Sequence, residues 1–337
     1  MQAQTVETSP RLPAPRRLVA AASEHAPATA AGILALIFVV LLAVYGLGAL
    51  AQATTNGLVT ASYFALGAVG LTLVYGILKL VNFAHGDLLT FGAYMAFVAN
   101  VALGLPLVAA ILFAFAITAA LGVAFELTLW RPMRARGAGL LQLLLIAIGL
   151  AFILRNGIQF FAGTQPRSLR VDVVDSVSVL GVRIGQTELL SIVVGFAVLV
   201  LVGLMLRYTS LGRQMRALSD DFDLAEVTGI DTGRVVVYTW ILAAGLAGLA
   251  GVLYAAALGT MTPNLGFLLL LSLFAAVILG GIGNAYGALA GGVVLGLVQE
   301  WSTLFVAARW KVAVGFVVLI LVLIVRPQGI FGRERTR

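Results

Sequence analysis

The chain has 337 residues, 61% of them hydrophobic and only 10% charged, with a mean hydropathy of +1.07. A soluble domain carries about a quarter charged residues, so a water-soluble globular fold is excluded. The net charge of +7 is no sign of nucleic-acid binding, because the basic residues sit in short segments between apolar runs, where they set topology.

Residues 1–30 are rich in Ala, Pro and Thr and carry Arg11, Arg16 and Arg17, which reads as a disordered cytoplasmic tail. The first apolar run, 32–51, ends in Ala51-Gln52-Ala53, the small-residue pattern of a cleavage site. It is longer than the apolar part of a signal peptide and reads as a retained span. Further runs of roughly membrane-spanning length follow at 57–78, 84–103, 106–129, 140–161, 188–206, 235–257, 266–282, 287–305 and 311–325. The pieces between 266 and 305 are short and Gly-rich, and fit one broken hairpin as well as two spans. The expectation is an all-α, polytopic helical membrane protein of about 8–10 spans. Its permease domain occupies 31–332, followed by a short tail at 333–337. With the N-terminus inside, Lys and Arg number 15 on the cytoplasmic side and 5 outside, so both termini are expected in the cytoplasm and 162–187 outside.

Ionisable groups within apolar sequence are costly in lipid and mark function or specific pairing. Glu126 lies one turn before Trp130-Arg131, which predicts a pair with Arg131 or Arg134. Arg155 lies near the outer end of its run, within snorkelling reach of the interface. Glu300 either pairs with another helix or faces a polar cavity. Asn82-Phe83-Ala84-His85-Gly86-Asp87 interrupts nearly continuous apolar sequence. One reading is a capped cytoplasmic turn, with Asn82 capping and Asp87 favoured by the helix dipole. The other is a broken helix in which Asn82, His85 and Asp87 line a transport cavity, since interrupted helices are where transporters hold solutes. A second Gly cluster around Asn284 fits either the same role or a tight turn between close-packed helices.

The stretch 207–234 is the one long polar island, with four Arg, four Asp and Glu226. Met215, Leu218, Phe222 and Ala225 recur at helical spacing, predicting a short amphipathic helix with Ser210 as N-cap and Gly229 as stop. Its apolar stripe packs either on the protein's own membrane domain and lipid headgroups or in a groove of a soluble partner.

Several chemistries lack their residues. There is no G-x-x-x-x-G-K-[ST] motif, so no Walker nucleotide site is present. Two His and no Cys leave no metal cluster or thiolate chemistry, and no nucleophile–base set is evident, so no cofactor and no enzyme activity is expected.

The order and content of several segments resemble a known family. They are NGLVTASYFALGAVGLTLVYG at 56–76, NFAHGD at 82–87, RPMR at 131–134, IGLAFILRN at 148–156, GRQMRA at 212–217 with EVTGI at 226–230, AVILGGIGN at 276–284 and RPQGIFG at 326–332. Together they resemble the membrane-spanning permease subunits of branched-chain amino acid ABC importers, of the high-affinity H type. Asp87 stands where many members carry Glu, and the family also includes importers of urea and short amides. The resemblance implies a bacterial inner-membrane importer with a second permease subunit, two cytoplasmic ATPase subunits and a periplasmic solute-binding protein. It also implies that the 212–230 segment is received by an ATPase groove, which assigns ATPase coupling to Gly212, Arg213, Met215, Arg216, Leu218, Phe222, Ala225, Glu226 and Gly229. Asn82, His85, Asp87, Asn284 and Glu300 become candidate pathway or gating residues. A stand-alone transporter or channel for a small polar solute is the competing reading.

Overall fold

The computed structural model describes residues 26–170, 176–179 and 182–332. The tail at 333–337 and the tail expected at 1–30, up to residue 25, lie outside the described residues. Residues 26–30, read from sequence as tail, are already helical.

The protein is an all-α polytopic membrane protein. Helix α1 spans Ala26–Leu78, α2 His85–Phe97, α3 Leu107–Phe125, α4 Arg131–Ala135, α5 Leu140–Ala162 and α6 Gln186–Tyr208. Then come α7 Ser210–Asp220, α8 Phe222–Val227, α9 Thr232–Leu258, α10 Leu265–Gly280, α11 Ala285–Ser302 and α12 Lys311–Val325. Strands β1, Ser176–Val179, and β2, Val182–Gly185, form an antiparallel hairpin in the loop before α6.

Six helices among the described residues are long and apolar enough to cross a membrane, seven if the bent pair α10–α11 counts as one span. About 8–10 spans were expected from the ten apolar runs. The runs at 32–51 and 57–78 merge into the 53-residue α1, which is helical through 52–56 and broken instead at Gly46 (φ 77°). A straight helix of that length would measure about 80 Å, against about 30 Å of hydrocarbon. The break resolves this. Trp301 donates through Nε1 to the Thr54 hydroxyl (3.0 Å) and its ring lies 5.8 Å from that of Phe38. Phe38 and Thr54 would be about 24 Å apart in an uninterrupted helix, so the chain folds back at Gly46. The other shortfall comes from α2 and α10, with only 13 and 16 residues, and from the 119° bend between α10 and α11.

The centre of the bundle is a seam of small residues. A Cβ on Gly292 of α11 would sit 2.5 Å from the Cα of Ala65, and one on Gly296 would sit 2.6 Å from the Ala61 nitrogen. Gly92 and Gly248 bring α2 against α9 in the same way. Lipid gives little hydrophobic drive for helices to associate, so contact on this scale comes from close backbone approach. The same seam sets the height of α2, which matters for the site below.

Candidate functional site

Helix α2 begins inside the bundle. His85 lies with its Nε2 3.0 Å from the carbonyl oxygen of Gly67, which is about 16 Å up α1 from Leu78. The non-helical segment after Leu78 therefore runs back into the bundle, and the first turn of α2 lies beside Gly67 of α1. Of the two readings of this stretch, a capped cytoplasmic turn and a broken helix, the geometry is that of an interrupted helix. Gly86 faces Gly266, and the Gly266 N–H donates to Thr90 Oγ1 (2.9 Å), so α10 also starts beside this point. Two half-length helices thus meet by their N-terminal turns inside the protein.

Asn82, His85 and Asp87 are all buried here. The Asn82 side chain accepts from the Ala84 N–H (3.1 Å) and stabilises the turn, but the N-cap position is Ala84, with no side-chain cap. Asp87 receives two hydrogen bonds from Arg155 of α5, from Nε at 2.9 Å and Nη2 at 3.1 Å. The guanidinium also lies 4.0 Å from the Phe267 ring centroid of α10. Arg155 does not snorkel outward; it bridges three helices through a fully desolvated carboxylate.

Glu300, near the far end of α11, is likewise paired. Its Oε1 accepts from Lys311 Nζ (2.6 Å) and from Thr60 Oγ1 (3.0 Å), and Thr60 accepts in turn from the Tyr63 hydroxyl (3.1 Å). Of the two readings left open, helix pairing is the observed one. Glu126 pairs with Arg134, one of the two partners expected, accepting from both Nη1 and Nη2 of the guanidinium. Asn284 is the N-cap of α11, accepting from the N–H groups of Tyr286 (3.1 Å) and Gly287 (3.2 Å). Its Nδ2 donates to the Phe331 carbonyl (3.1 Å), tying the C-terminal turn to this corner. The structure keeps Asn284 apart from the Asp87 site: it lines a cavity of about 490 Å³ shared with Thr72, Met215 and Arg216.

The polar island folds as two helices rather than one. Asp221, extended at φ −152°, ends α7, and its side chain caps α8 by accepting from the Leu224 N–H (2.9 Å). Thr209, not Ser210, caps α7, with Oγ1 accepting from the Gly212 N–H (3.1 Å). Gly229, at φ +86°, ends α8, as expected for a residue without a Cβ. Gly212 lies so close to the end of α6 that a Cβ would sit 2.3 Å from the Leu206 carbonyl oxygen. Arg216 donates to that same carbonyl.

The orientation of the stripe corrects an expectation. Met215, Leu218 and Ala225 are buried in the main core of the protein, with Phe222 half-buried against it. They hold the element on the bundle, as do Lys79 Nζ and the Ser219 carbonyl (3.1 Å). They are not free for a partner. The outward face carries Arg213, Asp220, Asp223 and Glu226 together with two exposed apolar side chains, Leu224 and Val227.

With this geometry in hand, comparison with known proteins is decisive. A family model described as "Branched-chain amino acid transport system / permease component" matches residues 53–323. The chain belongs to this family. It is 34% identical over 295 residues to the high-affinity branched-chain amino acid transport system permease protein BraD of Pseudomonas aeruginosa, covering 84% of this chain and 95% of the relative. It is 35% identical, with the same coverage, to the permease protein LivH of Escherichia coli K12. The probable LivH of Methanocaldococcus jannaschii is 27% identical over 294 residues, 82% of this chain and 91% of that protein. No solved structure matches the chain.

As a permease component of a transport system, the protein works with other transport subunits and is not itself an enzyme. The matched region holds the Asp87–Arg155, Glu300–Lys311 and Glu126–Arg134 pairs and the α7–α8 element. The sequence singled out Asp87 and Glu300 as buried acids but not their pairing with Arg155 and Lys311. Arg155 and Lys311 are 68 and 11 residues away along the chain. The one available signal was charge balance: an apolar chain that places an acid in lipid needs a base at the same depth.

Proposed function

We propose that this permease subunit translocates branched-chain and related small amino acids across the bacterial inner membrane, as part of an ATP-driven importer. A second permease subunit completes the pathway, two cytoplasmic ATPase subunits drive it, and a periplasmic solute-binding protein delivers the solute. The observation that carries this reading is the α7–α8 element. It is anchored by its own apolar stripe to the transmembrane bundle and turns a charged face with Leu224 and Val227 outward. A permease that is driven from outside itself needs such a rigid handle; a stand-alone transporter does not.

The basic-residue asymmetry supports cytoplasmic termini, a cytoplasmic α7–α8 and an external 162–187 loop. Asn82, His85 and Asp87 act as gating residues where the half-helices meet, Glu300 ties α11 and the start of α12 to Thr60 of α1, and Asn284 joins α11 to the coupling side. The competing reading needs Asp87 and Glu300 as free ion or proton sites, and both carboxylates already have a cation from the same chain.

Purification from native membranes tests the proposal. ATPases and a second permease should accompany the chain, and uptake of leucine, isoleucine and valine by membrane vesicles should require ATP. A chain that purifies alone and transports on an ion gradient without ATP refutes it.

A further inference from the structure

A pathway completed by a second permease subunit runs along an outer face of this chain. Such a face carries polar groups at a depth where lipid does not tolerate them. Three long helices give the contrast. Between their terminal turns α3, α6 and α12 expose only apolar side chains, such as Leu112, Val200 and Ile320. Helix α5 differs. Leu145, Gly149, Phe152 and Asn156 are all exposed and, spaced by four, three and four, share one side of the helix. The 23 residues of α5 measure about 35 Å, little more than the hydrocarbon thickness of about 30 Å. Asn156 lies about 9 Å short of its C-terminal end, a depth that belongs to acyl chains unless something polar faces it.

Two groups on this side have hydrogen-bonding capacity left over. Asn156 spends its amide nitrogen on the Phe152 carbonyl (2.8 Å) and so presents its oxygen, an acceptor. Arg155 gives Nε and Nη2 to Asp87 and keeps 14% of its side chain exposed. Among the described residues no acceptor meets its Nη1, which is not sealed inside the bundle. The guanidinium lies 4.0 Å from the ring centroid of Phe267 and 5.7 Å from that of Phe152, both exposed side chains. Acyl chains can satisfy neither a guanidinium N–H nor an amide oxygen. A donor for a carboxylate, an acceptor for an ammonium group and two rings for an apolar side chain match a zwitterionic aliphatic amino acid.

We infer that the exposed side of α5, beside Phe267 of α10, is a water-facing wall of the translocation pathway, where Arg155 Nη1 meets the carboxylate of the passing amino acid and Asn156 its ammonium group. The inference rests on the transport reading above and gives the pathway a location on this chain. Asp87, fully buried behind Arg155, orients the guanidinium from the protein side and does not touch the solute. The cysteine-free sequence makes the wall open to test. A Cβ added at Gly149 meets nothing within 4 Å, so a thiol can be placed there without pressing on the fold.

Gly149→Cys and Asn156→Cys are compared with Leu112→Cys, Val200→Cys and Ile320→Cys in the assembled importer, in native membrane vesicles during ATP-driven turnover. The probe is a charged methanethiosulfonate, and labelling of this chain is followed in time. Positions 149 and 156 should react at least about tenfold faster than the other three, because only a hydrated thiol ionises to the reactive thiolate. Saturating leucine should slow the reaction at 156. Asn156→Leu should lower leucine uptake at unchanged membrane level, whereas an Asn facing lipid would be improved by that change. Positions 149 and 156 as unreactive as the other three overturn the inference, whether lipid or the second subunit covers the strip. So does labelling of 156 that leucine leaves unchanged, or full uptake by Asn156→Leu. Uptake of leucine, isoleucine and valine that survives deletion of the chain overturns the transport reading itself; uptake lost on deletion, with 149 and 156 unreactive, overturns this wall alone.

Discussion

Asp87 and Arg155 form a two-pronged ion pair across α2 and α5, with the carboxylate fully buried and the guanidinium resting on Phe267. Desolvation makes such a pair a poor source of net stability but a costly one to break. It is suited to fixing the relative position of α2, α5 and α10, the elements that meet inside the bundle.

Removing one partner should therefore be worse than removing both. Asp87→Asn and Arg155→Gln each leave the other group buried and uncompensated, at a cost of about 3–5 kcal/mol. The double variant removes both charges and should recover much of that loss, a coupling read from a double-mutant cycle on thermal unfolding in detergent. Simple additivity would show that the pair does not couple the helices. Asp87→Asn should also lower uptake per folded molecule if the pair gates transport; normal uptake would leave it a purely structural joint.

The burial of Met215 and Leu218 divides the coupling element into two faces with different phenotypes. Leu218→Ala should lower folded yield, since truncating a buried Leu costs about 2–5 kcal/mol. Leu224→Ala and Val227→Asp lie on the exposed face and should leave yield unchanged. They should weaken ATPase co-purification, by about tenfold for an apolar anchor of about 1.5 kcal/mol. Full ATPase retention by Leu224→Ala combined with Val227→Asp would remove α8 from the docking surface.

The small-residue seam makes a contrast within one residue type. Gly292→Leu forces α11 away from Ala65 of α1, and overpacking of this kind costs at least about 1–3 kcal/mol. Gly149→Ala meets no atom within 4 Å and should be neutral or stabilising by up to about 1 kcal/mol. The check is the fraction of monodisperse protein after detergent extraction. Equal yields for the two variants would show that α1 and α11 are not held by close approach.

Sidedness can be read directly, because the chain has no cysteine of its own. Thr164→Cys should react with an impermeant maleimide from outside intact cells, and Glu226→Cys only after the membrane is opened. Labelling of position 164 only from the inside would invert the topology.

The apolar runs by themselves determined the class of this protein. A helix is the one open-ended structure that satisfies its own backbone in hydrocarbon, so about 20 apolar residues specify it with no tertiary information. Glu126 with Arg134 was equally legible, because both belong to one local stretch. Tertiary structure alone decided the depth of Asp87. Composition cannot tell a turn at the membrane surface from a half-helix that starts inside, and the difference is set by the Gly86–Gly266 and His85–Gly67 contacts. The same holds for the stripe of Met215, Leu218 and Ala225. Periodicity reports that a face is apolar; whether it buries on its own bundle or on a partner depends on how closely that bundle lies, and here Gly212 and Gly76 let it lie against the helix.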